Sequence, residues 1–293
     1  MTRFRALLLV SLGLTASMGL AQQRVSSLTG NIQHLKPFHS SVLNNDRNVA
    51  VYLPPDYEAN KNRHYPVLYM NDGQNVFDGM TSFLPNKEWR ADESAEALIA
   101  AKLIEPVIIV ALDNAGMDRA NEFLPTRVGT GNRAGGGKAD LYGRMLIEEL
   151  IPYINKSYRT KTGPDNTGLC GSSFGGIVTM HLGLMHPEVF GKLGVVSPSV
   201  WWDNRVILKE VAKIERKSKQ RIWIDIGSSE GGKNEKQNRE AVKDASDLFD
   251  ELVKKGWRSG KEITFFVDKG AQHNEDAWAH RMPLILEFLF PAK

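Results

Sequence analysis

Short apolar or alternating runs recur along the chain between clusters of Gly, Pro, Asn and Asp, and from the middle onward each is followed by apolar positions at helical spacing. The runs predict strands at Gly30–Pro37, Asn48–Leu53, Pro66–Met70, Val107–Asp113, Thr167–Cys170, Leu193–Ser197, Arg221–Ile226 and Glu262–Val267. Their brevity and Val/Ile content suit strands buried on both faces. The helical spacing predicts helices at Asp92–Ile104, Asp140–Tyr158, Phe174–Met185, Val206–Lys217, Lys236–Lys255 and Glu275–Phe290, with Asp92 and Asp140 as N-caps. Strand and helix in alternation mean an α/β fold. The turn Asn44-Asn45-Asp46 predicts an antiparallel hairpin from the first two strands, while the later ones should be parallel. The expected architecture is one mixed, mostly parallel, eight-stranded sheet with helices on both faces. The glycine-rich stretch Gly129–Gly137 is too short for an interdomain linker and reads as a mobile loop near a ligand entrance.

Two cations, Arg3 and Arg5, precede an apolar run from Ala6 to Leu14 and small residues from Ala16 to Ala21. This is the pattern of a signal peptide, with cleavage expected after Ala21 and residues 22–293 forming one domain in the periplasm or outside the cell. The apolar run falls short of the ~20 residues that span a bilayer. Export permits disulfides, yet Cys170 is the only cysteine, which excludes an internal bridge and a Cys-rich metal site. Its place at a strand end reads as a small buried apolar residue. Net charge is +3, from 37 basic and 34 acidic residues, too even to imply nucleic acid or an anionic membrane as partner. The locally basic Lys213–Lys219 reads as a solvated helix face.

The strand ending at Cys170 runs directly into Gly171-Ser172-Ser173-Phe174-Gly175-Gly176, and a helix follows. A G-x-S-x-G segment between strand and helix is a nucleophile elbow, in which Ser173 turns sharply so that its oxygen leaves the sheet. Gly171 and Gly175 remove side chains that would collide there, and the helix N-terminus favours developing negative charge. Ser172 is the rival serine but occupies the variable position of the motif.

A base must come from a strand end to reach that serine. Of seven histidines, His273 satisfies this best, following the last strand through Asp268-Lys269-Gly270-Ala271-Gln272. His34, His39, His64, His181 and His186 read as surface or packing residues, and His280, beside Arg281, as a helix-face residue. A carboxylate between serine and base in chain order completes the set. Glu230 lies in the loop Gly227–Gly232 at the end of a predicted strand. Asp225 sits inside that strand and reads as structural, while Asp244, Asp247 and Asp250 read as a solvated helix face. No metal or organic cofactor is needed for such chemistry.

These residues resemble the putative esterase family of α/β hydrolases, which includes S-formylglutathione hydrolases, feruloyl and acetylxylan esterases and siderophore trilactone esterases. The matching segments are Val51–Tyr57, Tyr65–Asp78, Glu149–Pro152, Gly171–Gly176, Ser197-Pro198-Ser199 with Trp201-Trp202, and Gly270–Glu275, so the similarity spans nearly the whole mature chain. It is greatest to the trilactone esterase branch. The resemblance implies the α/β-hydrolase fold, Ser173 as nucleophile and His273 as base. It also implies oxyanion donors from the backbone at Gly73 or Gln74 and at Phe174, which agrees with the elbow geometry. Many α/β hydrolases begin the first of these loops with His-Gly; here it reads Asn71-Asp72-Gly73-Gln74.

Trp201 and Trp202 follow a strand at the carboxyl edge of the sheet, where ligands bind in such folds. They read either as an aromatic wall for aryl or catecholate ligands or as packing beneath a cap. Arg119, Asn121 and Glu122 lie at the same edge and are candidates for polar substrate groups. The expected function is therefore hydrolysis of a small-molecule carboxylic ester, such as a siderophore trilactone or a feruloyl or acetyl sugar ester, through an acyl-enzyme. An acyltransferase with the same residues, or a binding protein that keeps the fold, are the alternatives the sequence leaves open.

Overall fold

The computed structural model describes residues 23–130, 134–215 and 217–292; the expected signal segment lies outside them. Among the described residues ten strands form, at Asn31–His34 (β1), Phe38–Ser40 (β2), Asn45–Arg47 (β3), Val49–Leu53 (β4), Val67–Met70 (β5), Ile108–Leu112 (β6), Thr167–Ser172 (β7), Lys192–Val196 (β8), Arg221–Gly227 (β9) and Ile263–Asp268 (β10). Eight of them make one sheet in the order β1-β4-β6-β5-β7-β8-β9-β10. β4 is antiparallel to both β1 and β6, and every other pair is parallel. This is the mixed, mostly parallel sheet expected from the pattern.

The helices are Ala91–Ala100 (α1), Arg119–Phe123 (α2), Ala139–Arg144 (α3), Ile151–Ser157 (α4), Phe174–Met185 (α5), Trp202–Lys213 (α6), Glu235–Lys254 (α7) and Glu275–Leu289 (α8). Two apolar clusters form, one built on Val51, Val110, Leu169 and Ile224 with Leu248, the other on Leu68, Ile109 and Cys170 with Leu286. The alternation along each strand thus sends side chains to both faces of the sheet, and burial on both sides keeps the parallel strands in register.

Several local expectations need correction. Asn44–Asp46 does not join β1 to β4; Asn45 and Asp46 belong to β3, which pairs with β2 in a separate ribbon, and only Asn44 takes the left-handed turn conformation (φ 52°). Neither Asp92 nor Asp140 caps a helix: Arg90 and Lys138 hold those positions. Asp92 is buried and accepts from the Thr29 amide at 2.7 Å, while Asp140 reaches His181 Nε2 at 2.9 Å. The long helix expected over Asp140–Tyr158 is interrupted by a π-helical segment, Met145–Leu150, just before Pro152, whose missing N–H breaks the regular ladder. Residues 203–205 open α6 in left-handed conformation, and the helix ends at Lys213 rather than Lys217. In the stretch 129–137, residues 131–133 lie outside the described residues; Gly135 within it and Val128 just before it exchange two 2.9 Å backbone hydrogen bonds.

Candidate active site

Ser173 joins β7 to α5 with φ 58° and ψ −119°, a conformation that costs a non-glycine residue on the order of 1–3 kcal/mol. The surroundings enforce it. Ser173 N donates to Val196 O at 3.1 Å, and its carbonyl accepts from Gly176, Ile177 and Ser199 amides, each at 3.1 Å. A Cβ on Gly171 would stand 2.8 Å from Gly175 O and from Asn71 Nδ2, and one on Gly176 would stand 2.8 Å from Val196 O. Gly175 is less crowded, its closest contact being Asp72 Oδ2 at 3.2 Å. The glycine requirement therefore falls on Gly171 and Gly176 more than on Gly175. Ser172 is buried at the end of the strand, 3% exposed.

β9 ends at Gly227, and Glu230 follows in the next turn. Its Oε1 accepts from the Gly227 amide and the Ser197 hydroxyl, both at 2.7 Å, and its Oε2 meets His273 Nδ1. Burial pushes this carboxyl up, but the bonds from His273, Ser197 and Gly227 outweigh it and hold the group below the usual carboxylate range. His273 is delivered by the turn after β10; Asn274 then caps α8 by accepting from the Ala277 amide at 3.1 Å. Trp278, one turn into α8, packs edge-on to the His273 ring at 5.2 Å.

Ser173, Phe174, Glu230, His273 and Trp201 line one cleft of about 710 Å³, together with Ser199, Arg205 and Asp244. The Ser173 hydroxyl lies 3.3 Å from that of Ser199. Phe174 is the first residue of α5, so helix geometry leaves its N–H without an intrahelical acceptor.

The Gly73–Gln74 loop is bound tightly to its surroundings. A Cβ on Gly73 would meet the β6 backbone at 2.5 Å, which requires glycine there. Asn71 donates to Gly175 O and Thr179 Oγ1 and accepts from Tyr142, while Asn75 donates to Glu275 Oε1 at 3.1 Å. One loop is thereby attached both to the elbow helix and to the helix that follows His273. Gly73 and Gln74 line a separate pocket of about 150 Å³.

The remaining candidates divide. Trp201 is 58% exposed, with its ring 6.2 Å from that of Phe174. Trp202 is partly buried and donates to Thr126. Arg119 makes a two-pronged bond to Asp72, at 2.5 and 2.7 Å, and Asn121 holds Asp118 and the Gly136 amide. Glu122 is not available to a substrate: it is buried and paired with Arg47. Asp244 and Asp247 are also not simply solvated, since both bind Arg205 at the cleft wall. Asp225 is structural as read, but its partner, Arg281 at 2.7 Å with no exposed surface, has no signature in the sequence. Burial pushes Asp225 up to about 6 against the pull of that guanidinium.

An endo-1,4-beta-xylanase/feruloyl esterase of Xylanibacter ruminicola is 29% identical over 230 residues, covering 78% of this chain and 29% of the relative. The ferri-bacillibactin esterase BesA of Bacillus subtilis is 26% identical over 200 residues, covering 64% of this chain and 67% of the relative. The crystal structure of the BES protein from Bacillus cereus superposes with a TM-score of 0.69 at 19% identity, covering 92% of this chain and 97% of the other, which establishes the shared fold. The model of the Putative esterase family matches residues 40–289. The chain belongs to that family, and it is a carboxylic-ester hydrolase of the α/β-hydrolase fold.

Proposed function

We propose that this enzyme is a serine esterase whose catalytic set is Ser173, His273 and Glu230. The observation that carries the reading is the contact of His273 Nδ1 with Glu230 Oε2 in the same cleft as the strained Ser173. His273 takes the Ser173 hydroxyl proton as the oxygen attacks an ester carbonyl, and Glu230 orients and stabilises the imidazolium. Amides of Phe174 and of the Gly73–Gln74 loop hold the oxyanion; loss of one such donor costs about 10²- to 10³-fold in rate. The intermediate collapses with transfer of the proton to the leaving alcohol. Water, activated by His273, then releases the acid.

The substrate is a small ester with an aryl group. Trp201 and Phe174 offer an aromatic wall of the right kind, and the relatives are named for feruloyl and ferri-bacillibactin esters. Arg119 and Asn121 act by holding the loops around the site, and Trp202 backs Trp201. The N-terminal pattern supports export, with residues 22–293 working as one domain outside the cytoplasm; no helix among the described residues is long and apolar enough to cross a membrane. A fluorophosphonate probe should label Ser173, and Ser173→Ala should abolish both labelling and p-nitrophenyl ester hydrolysis while keeping the fold. A folded Ser173→Ala enzyme with wild-type rate would overturn the reading.

A further inference from the structure

Ser197 stands at the end of β8, buried and in left-handed conformation (φ 41°). Its amide donates to the Asp225 backbone carbonyl at 3.0 Å and to Asp225 Oδ1 at 3.1 Å. Three groups converge on its hydroxyl: Trp278 Nε1 at 3.2 Å, Arg281 Nη2 at 3.2 Å and Glu230 Oε1 at 2.7 Å. Indole and guanidinium N–H groups donate and cannot accept, and a hydroxyl has two lone pairs and one proton. Both lone pairs are therefore taken, and the proton can go only to Glu230.

The direction of that bond fixes the rest. Glu230 Oε1 receives two donors, Ser197 Oγ and the Gly227 amide, so the carboxylate is held as an acceptor. Its other oxygen then requires a proton on His273 Nδ1, which leaves the lone pair on Nε2, the nitrogen a base must use. Arg281 is itself fixed by Asp225, whose second oxygen accepts from Trp223 Nε1 at 2.7 Å.

We propose that Ser197 is a positioning residue of the enzyme: its hydroxyl transmits the buried Arg281–Asp225 pair to Glu230 and so sets the tautomer of His273. This rests on the assignment of Ser173, His273 and Glu230 given above.

The test uses Ser197→Gly and Ser197→Ala in the full chain, with p-nitrophenyl acetate as substrate and active sites titrated by fluorophosphonate. Both variants lack the hydroxyl, but only Gly is relaxed at a positive φ. Both should lose kcat by about 10- to 30-fold at nearly unchanged KM, as expected for a lost hydrogen bond to a charged group. The glycine variant should melt at the higher temperature of the two. Wild-type kcat per titrated site in either variant overturns the proposal, and if Ser173→Ala is inactive the catalytic set itself survives. Losses that follow melting temperature, or that appear in KM, reveal a merely structural serine and also overturn it.

Discussion

His273 and Glu230 meet at the carboxyl edge of the sheet, Nδ1 against Oε2, although they are 43 positions apart in the chain and the whole of α7 lies between them. Each comes from the loop after a parallel strand, β10 and β9, and those two strands are paired through Asp268 and Gly227. Their meeting is thus set by sheet register, and the Ser197 hydroxyl, donating to Oε1, fixes which oxygen of Glu230 faces the ring. Glu230→Gln should keep the fold and lower kcat by roughly 10²- to 10⁴-fold, because the amide can present its N–H to the ring and favour the wrong tautomer. Steady-state kinetics beside circular dichroism checks this; a loss below threefold would remove Glu230 from the set.

The elbow glycines should differ in their sensitivity. Alanine at Gly176 meets Val196 O at 2.8 Å, and at Gly171 meets Gly175 O at 2.8 Å, both backbone atoms that cannot move aside. Alanine at Gly175 meets a side-chain oxygen at 3.2 Å. Gly171→Ala and Gly176→Ala should each cost about 1–3 kcal/mol, and Gly175→Ala distinctly less. Denaturant titration of the three variants ranks them.

Trp201 should serve substrate rather than stability, because more than half its surface is exposed while its ring borders Phe174 at the cleft. Trp201→Ala is expected to leave the melting temperature within about 2 °C of wild type. It should raise KM for a feruloyl or catecholate ester on the order of tenfold and leave acetate esters little changed. Equal effects on both substrates would show that Trp201 acts on the scaffold.

Asp92 should make stability fall with rising pH. Burial foremost, with Glu93 beside it, pushes this carboxyl up to about 8. The unfolded group titrates near roughly pH 4, so its contribution is whole below that value and is lost as pH rises through 8. Asp92→Asn keeps an oxygen for the Thr29 amide and removes the titration. The variant should melt a few degrees above wild type at pH 8.5 and lose that advantage at pH 5. Thermal melts at the two values decide.

Pattern and turn residues carried the eight strands of the sheet; the central ones, β4 to β9, were the plainest, because a strand buried on both faces must be short and largely apolar. The elbow was equally legible, since a serine flanked by glycines at a strand-to-helix junction is a constraint of local backbone geometry. The order serine, acid, base narrowed the carboxylates to those after Ser173. What stayed hidden was the network that supports those residues, which is made by segments distant in the chain. Nothing local distinguishes Arg281 from the exposed His280 beside it, yet one faces the sheet and finds Asp225 while the other points to solvent. Asp92 and Asp140 look like caps because a carboxylate before an apolar helix is usually one; the Thr29 amide and His181 of α5 recruited them instead. A sequence determines which backbone states and which burial pattern each segment prefers. Only the folded sheet decided which hydroxyl, carboxylate and guanidinium share a hydrogen-bond network, because that depends on the register of strands that are far apart in the chain.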